Sequence, residues 1–195
     1  QEREAQARER EAAAAAAKRQ AALAPLIAKD QRRVADITHI REALERYIDK
    51  VGPLPAPRDY GEAESSNPGF WSHYWDVSTE DGDKDGKPFL DFLVDNHLLI
   101  SVPVDPDNQP SPDGTPTGGK QYVYFVVPSE EPYEGGTCTT SDKRWVYMLA
   151  ITDLESEDTR PPKNIPGSGC DCLWKNSPNF FQHTFDYVVC GTFKR

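Results

Sequence analysis

The sequence has no apolar run of about 18 residues, so it offers no segment able to cross a bilayer as a helix. It also lacks the spacings that announce common chemistry. GxSxG, a Walker loop, a dinucleotide fingerprint and HExxH are all missing. The four histidines, His39, His73, His97 and His183, stand far apart. No nucleophile–base pair can be assembled from neighbours, and catalysis is not expected. Apolar residues are few as well. At 37% hydrophobic content and a mean hydropathy of −0.71, the 195 residues have material for one modest core.

Basic charge is scarce outside the N-terminus. Residues 1–33 hold eight Lys/Arg and five Asp/Glu, a net +3, which leaves −13 for the rest of a chain whose total is −10. An acidic body excludes the basic footprint that nucleic acid requires, and disfavours an acidic membrane surface for the same reason. What is plentiful is loop chemistry: 17 prolines and 13 glycines imply long ordered connections.

The four cysteines, Cys138, Cys170, Cys172 and Cys190, fall in the C-terminal third. Their even number and loop-rich surroundings suit two disulfides in an exported protein, extracellular, at the cell surface or periplasmic. Three connectivities are open. Cys170-Asp-Cys172 has no second CxxC or HxxxH to complete a zinc set.

Residues 1–24 are built almost wholly from Ala, Glu, Arg and Gln, the strongest helix formers, with no apolar side chain larger than Ala before Leu23. Such a helix is either a solvent-exposed spacer or one that packs on neighbours through its alanines. Pro25 is expected to kink or interrupt it. The chain therefore divides into a helical spacer or filament-core helix, 1–29, and a globular part, 30–195.

Residues 33–51 carry the clearest pattern. Val34, Ile37, Ile40, Leu44, Tyr47, Ile48 and Val51 recur at three- and four-residue steps on one side of a helix. Arg41, Glu42, Glu45, Arg46 and Asp49 fill the other side, with Glu42 and Arg46 spaced as an i,i+4 pair. Gly52, Pro53 and Pro55 stop it. A weak heptad running back to Leu23 is interrupted by Asp30 and Arg41, so a helix laid on a sheet is favoured over a coiled coil.

With Arg32, Arg33, Ala35, Asp36, Ile37, Ile40, Ala43, Leu44, Glu45, Tyr47, Gly52 and Pro55 in this order, the helix resembles that of type IV pilins and type II secretion pseudopilins. The stretch PFLDFLVDNHLLISVPVDPDN, 88–108, is similar to the second helix and "VP-DP" turn of the major-pseudopilin branch. The resemblance covers roughly residues 30–195; the family's apolar N-terminal half-helix is not present in these residues. It implies a pilin-like fold, assembly into a filament with copies of itself or with other pilin-like subunits, and an outward-facing head.

A short helix is expected over 88–99, with Phe89, Phe92, Leu93 and Leu98 inward, followed by strands over 121–127, 145–151 and 183–190 in an antiparallel meander. Two stretches are candidates for binding. Asp81, Asp83 and Asp85 alternate ahead of Gly86, as in the first half of a Ca²⁺ loop, and Asp91 is the expected fourth ligand. Position twelve of the EF-hand pattern is Phe92, so this is no EF-hand. Phe70, Trp71, Tyr74 and Trp75 form an aromatic cluster that either caps the core or offers a stacking surface to glycan or protein. The expectation is an α+β protein: a long N-terminal helix on a small antiparallel sheet, with a loop-rich, disulfide-bonded head. Two functions fit it. One is a structural filament subunit whose assembly helix carries Val34, Ile37, Ile40, Leu44, Tyr47 and Ile48. The other is a minor-pilin or adhesin-like binding module.

Overall fold

In a computed structural model, the described residues are 2–55, 75–79, 88–112, 118–128, 144–159 and 185–194. Helix α1 spans Glu2–Lys50, 49 residues without a break. Strand β1 (Trp75–Val77), helix α2 (Asp91–Asp95), β2 (Tyr122–Pro128), β3 (Arg144–Ile151), a 3₁₀ turn (Glu157–Thr159) and β4 (Tyr187–Lys194) follow. The strands form one antiparallel sheet in the order β1-β2-β3-β4. The architecture is α+β, a long N-terminal helix with a small four-stranded meander.

Pro25 lies inside α1 and does not end it. The amide it lacks would have bonded the Ala21 carbonyl, and Ala21 is exposed. Water can satisfy that acceptor, so helix remains affordable there. The C-terminal stop lies where Gly52 marks it. Gly52 has φ +137°, a conformation open to glycine, and the amides of Val51 and Gly52 both bond the Tyr47 carbonyl. Val51, expected on the apolar stripe, is therefore past the helix end and 49% exposed.

The strands alternate as a sheet buried on both faces must. Tyr122, Tyr124 and Val126 of β2, Tyr147, Leu149 and Ile151 of β3, and Val189 and Phe193 of β4 face α1. There they meet Ile37, Ile40, Ala43 and Leu44, each fully buried, while Val34, Tyr47 and Ile48 pack at the margin. Val123, Phe125, Val146, Met148, Ala150 and Cys190 form a second layer with Trp75, Val77 and Phe185.

Three expectations shift in detail. Helix α2 has five residues rather than a full 88–99, because Leu90, buried, takes a left-handed φ of 51° immediately before it and His97 one of 56° just after it. The Leu90 amide is held by the Asp76 carboxylate at 2.9 Å. Phe89, Phe92 and Leu93 still point inward, with Leu98 at the margin. Strand β1 was not expected at all: three residues, all buried, give no alternation to read. The last strand ends at Lys194, beyond Gly191, where a glycine reads as a strand end. Gly191 is instead the register partner of Tyr147, whose ring lies over it in the space a Cβ would need.

Candidate functional site

Two residues of α1 stand in phase with the core stripe yet carry charge. Asp30 and Arg33 precede Ile37, Ile40 and Leu44 at helical spacing, and both are 0% exposed. Such burial is tolerable only when every polar atom is partnered. The chain supplies the partners from two distant segments.

The first segment is a strap of residues 98–108. At one end Arg46, expected to pair with Glu42, donates to the Leu98 carbonyl at 3.2 Å. At the other end Asp105, 1% exposed, meets Arg33. Arg46 lies thirteen helical steps beyond Arg33, about 20 Å of axis, and the strap spans it in the seven steps from Leu98 to Asp105, which favours extended chain. Pro103 and Pro106 suit that, since a proline pushes the residue before it away from helix. Asp105 also shapes its own turn: its Oδ1 accepts the amides of Asp107 at 2.9 Å and Asn108 at 3.3 Å.

Arg33 is the centre. Its Nε donates to Asp105 Oδ2 at 2.8 Å and Nη2 to Asp105 Oδ1 at 3.2 Å. Nη2 also reaches Asp107 Oδ2 at 2.9 Å, and Nη1 reaches Asp30 Oδ1 at 2.8 Å. Both terminal nitrogens lie 3.1 Å from Glu155 Oε1. A planar fork of five donors is thereby occupied, a role an ammonium could not fill. The second segment, after β3, is gripped by Asp30. That carboxylate accepts the amides of Glu155 at 3.0 Å and Ser156 at 2.8 Å, and the Thr159 hydroxyl at 2.6 Å. Lys29 adds a 2.7 Å bond to Asp107. Lys120 stands 3.3 Å from both Asp107 and Glu155.

The electrostatics follow from this wiring. Burial pushes the Asp30 carboxyl up, but hydrogen bonds from Thr159, from the amides of Glu155 and Ser156, and from Arg33 outweigh it and leave it lowered. The Lys29 hydrogen bond, aided by Lys120, holds Asp107 well below the usual carboxylate range. Burial pulls Arg33 down, and Asp105, Asp30 and Glu155 more than restore it, so its charge is fixed. Next to this cluster Tyr122 donates to Asp36 at 2.9 Å. Burial first, then Asp36, pushes its phenol far up.

Chemically this is a clamp. Its donors and acceptors face one another, its charges are locked, and four pieces of chain meet in it: α1, the strap, Lys120 ahead of β2, and the segment after β3. The alternating pattern of ionised and buried groups in α1 could have signalled it, because Asp30 and Arg33 fall on the apolar face. From the sequence Asp30 reads only as an interruption of a heptad, and Arg33 only as one of the residues that carry the resemblance.

The structure sorts the other candidates. Ile37, Ile40 and Leu44 of the expected assembly helix are fully buried against the protein's own sheet, and Val34, Tyr47 and Ile48 are partly buried beside them, so the stripe serves the core. Trp75 is 8% exposed, its ring 4.4 Å from Phe125 and 6.1 Å from Phe185. It belongs to the second layer and offers no stacking platform; Phe70, Trp71 and Tyr74 lie outside the described residues. Asp91 opens α2, half-buried, while Asp81, Asp83 and Asp85 lie outside the described residues. Among the described residues no group of three or more His, Cys, Asp or Glu is placed to hold a metal ion. Cys190 is disulfide-bonded, and Cys138, Cys170 and Cys172 lie outside the described residues. No described helix is long and apolar enough to cross a membrane.

Comparison with known proteins adds no relative: no family model, no curated protein and no solved structure matches the chain.

Proposed function

We propose that the protein is a structural subunit of a pilin- or pseudopilin-like filament, at the cell surface or in a secretion system, working by helix-mediated assembly. The observation that carries this reading is the form of α1. One unbroken 49-residue helix is clamped to an α+β head along its C-terminal half and exposed on every side over residues 2–22. The reading also gains from the clamp. Arg33 and Asp105, which lie in the two stretches on which the pilin resemblance rests, are bonded to each other. Because the apolar stripe is used inside the head, contacts between subunits would fall on the exposed flank of α1 and on the acidic head.

The binding-module reading is weaker, since Trp75 is buried in the core. Negative-stain microscopy of the native full-length product tests the two. Regular fibres are expected. Dispersed monomers that bind a glycan array would overturn the filament and restore the alternative.

A further inference from the structure

The first half of α1 poses its own physical question: what keeps it helical. Residues 2–24 consist of eleven alanines, four glutamates, four arginines, two glutamines, one lysine and one leucine. Every one ranks among the best helix formers. Glu2 and Glu4 sit in the first turn, where negative charge complements the helix dipole. Glu4 precedes Arg8 by four residues, the favourable order for an acid–base pair.

Isolated helices are limited by nucleation, since the first turn fixes several residues for one bond. Here the nucleus already exists. From Asp30 onward α1 is held by the clamp and the core, and the N-terminal half has only to propagate from it. Pro25 removes one bond from that path, and the acceptor it leaves, on Ala21, is exposed to water.

The surface of this half has no side to bury. Ala12 to Ala17 are consecutive and so occur all round the helix, and the arginines fall on two opposite sides, 3 and 10 on one and 8 and 19 on the other. A helix that packs on a neighbour through large apolar side chains carries a stripe, as 37, 40 and 44 do in the same element, and packing through alanines alone would have to choose among equivalent sides. We infer that residues 2–24 form a self-supporting strut, which holds the head at a fixed stand-off of about 33 Å with no partner chain needed for its helicity. This goes beyond the filament reading and does not rest on it: a chain that makes no fibres would still have the strut.

Electron–electron distance measurement on the full-length, disulfide-intact protein tests it, with spin labels on non-natural residues replacing Ala5 and the exposed His39. Sedimentation of the same samples reports the association state. A narrow distance near about 51 Å, unchanged in the monomer on dilution, is expected. A variant with Ala14→Gly, Ala15→Gly and Ala16→Gly should broaden and shorten that distance while the melting temperature of the head stays put. A broad, short distance in the monomer that narrows only with self-association would overturn the strut and make the segment a packing helix. A head that melts lower in the glycine variant would overturn it too, by showing that the segment docks on the head.

Discussion

Arg33 and Asp105 lie 72 residues apart in sequence and meet through two parallel hydrogen bonds of 2.8 and 3.2 Å, both side chains 0% exposed. That pair, with Asp107, fastens the strap to the helix, and Asp30 and Glu155 around the same guanidinium fasten the segment after β3. Replacing Arg33 by Met takes the cation from two buried carboxylates, Asp30 and Asp105, and from the half-buried Asp107 and Glu155. Breaking a buried pair by removing one partner costs about 3–5 kcal/mol, and Arg33→Met should lower the denaturation midpoint accordingly. Arg33→Lys should recover only part of it, since an ammonium cannot make the bidentate contact. Wild-type stability in the Lys variant would show that the fork geometry is dispensable.

Stability should fall off at both ends of the pH scale. Asp107 and Asp30 are depressed in the folded protein. The stability they add is present above the unfolded carboxylate value of about 4 and is lost as pH falls through their lower folded values. On the alkaline limb, burial pushes Tyr147 up to about 12, and Tyr122 is raised as well. A phenol kept neutral by the fold contributes fully below its unfolded value of about 10 and loses that contribution as pH climbs towards 12. Burial pulls Lys120 down, yet Glu155 and Asp107 leave it raised, and Lys29 is raised chiefly by Asp107; their contributions are also lost as pH rises through the folded values. Denaturation midpoints against pH check both limbs, and a profile flat into acid would remove the clamp from the account.

Gly191→Val sets a side chain where the Tyr147 ring lies. Overpacking of this kind costs about 1–3 kcal/mol. Pairing it with Tyr147→Ala should give a double variant less damaged than the two single losses together, because one change vacates the space the other fills. Strict additivity of the melting shifts would mean that ring and glycine are not coupled.

The aspartates at 81, 83 and 85 give a separate test, with Asp91 as the expected fourth ligand. If Ca²⁺ binds there in the folded form alone, a hundredfold excess over Kd adds about 2.7 kcal/mol. Calcium should raise the melting temperature, chelation should lower it, and Asp83→Ala should abolish the response. A melting curve indifferent to calcium, with no metal by elemental analysis, reduces the stretch to an acidic turn.

Much of the fold is legible residue by residue. The three-and-four spacing of Ile37, Ile40 and Leu44 places the core face of α1, Gly52 places its end, and β-branched and aromatic runs place β2 and β3. These are local properties, written in the periodicity of side chains along one element. The clamp is not local. Asp30 looked like a break in a pattern and Arg33 carried no sign of burial, because a charge can sit in a core only when partners arrive from elsewhere. Asp105 is 72 residues from Arg33, Glu155 is 122, and the Ser156 amide is 126 from Asp30. The same holds for Gly191, a strand end until Tyr147 covers it from the neighbouring strand. The sequence by itself determined where the helix and the principal strands run. Only the tertiary structure decided that the charged residues on its greasy face are the fastening of the head, since the solvation energy of a buried ion depends on what surrounds it in space.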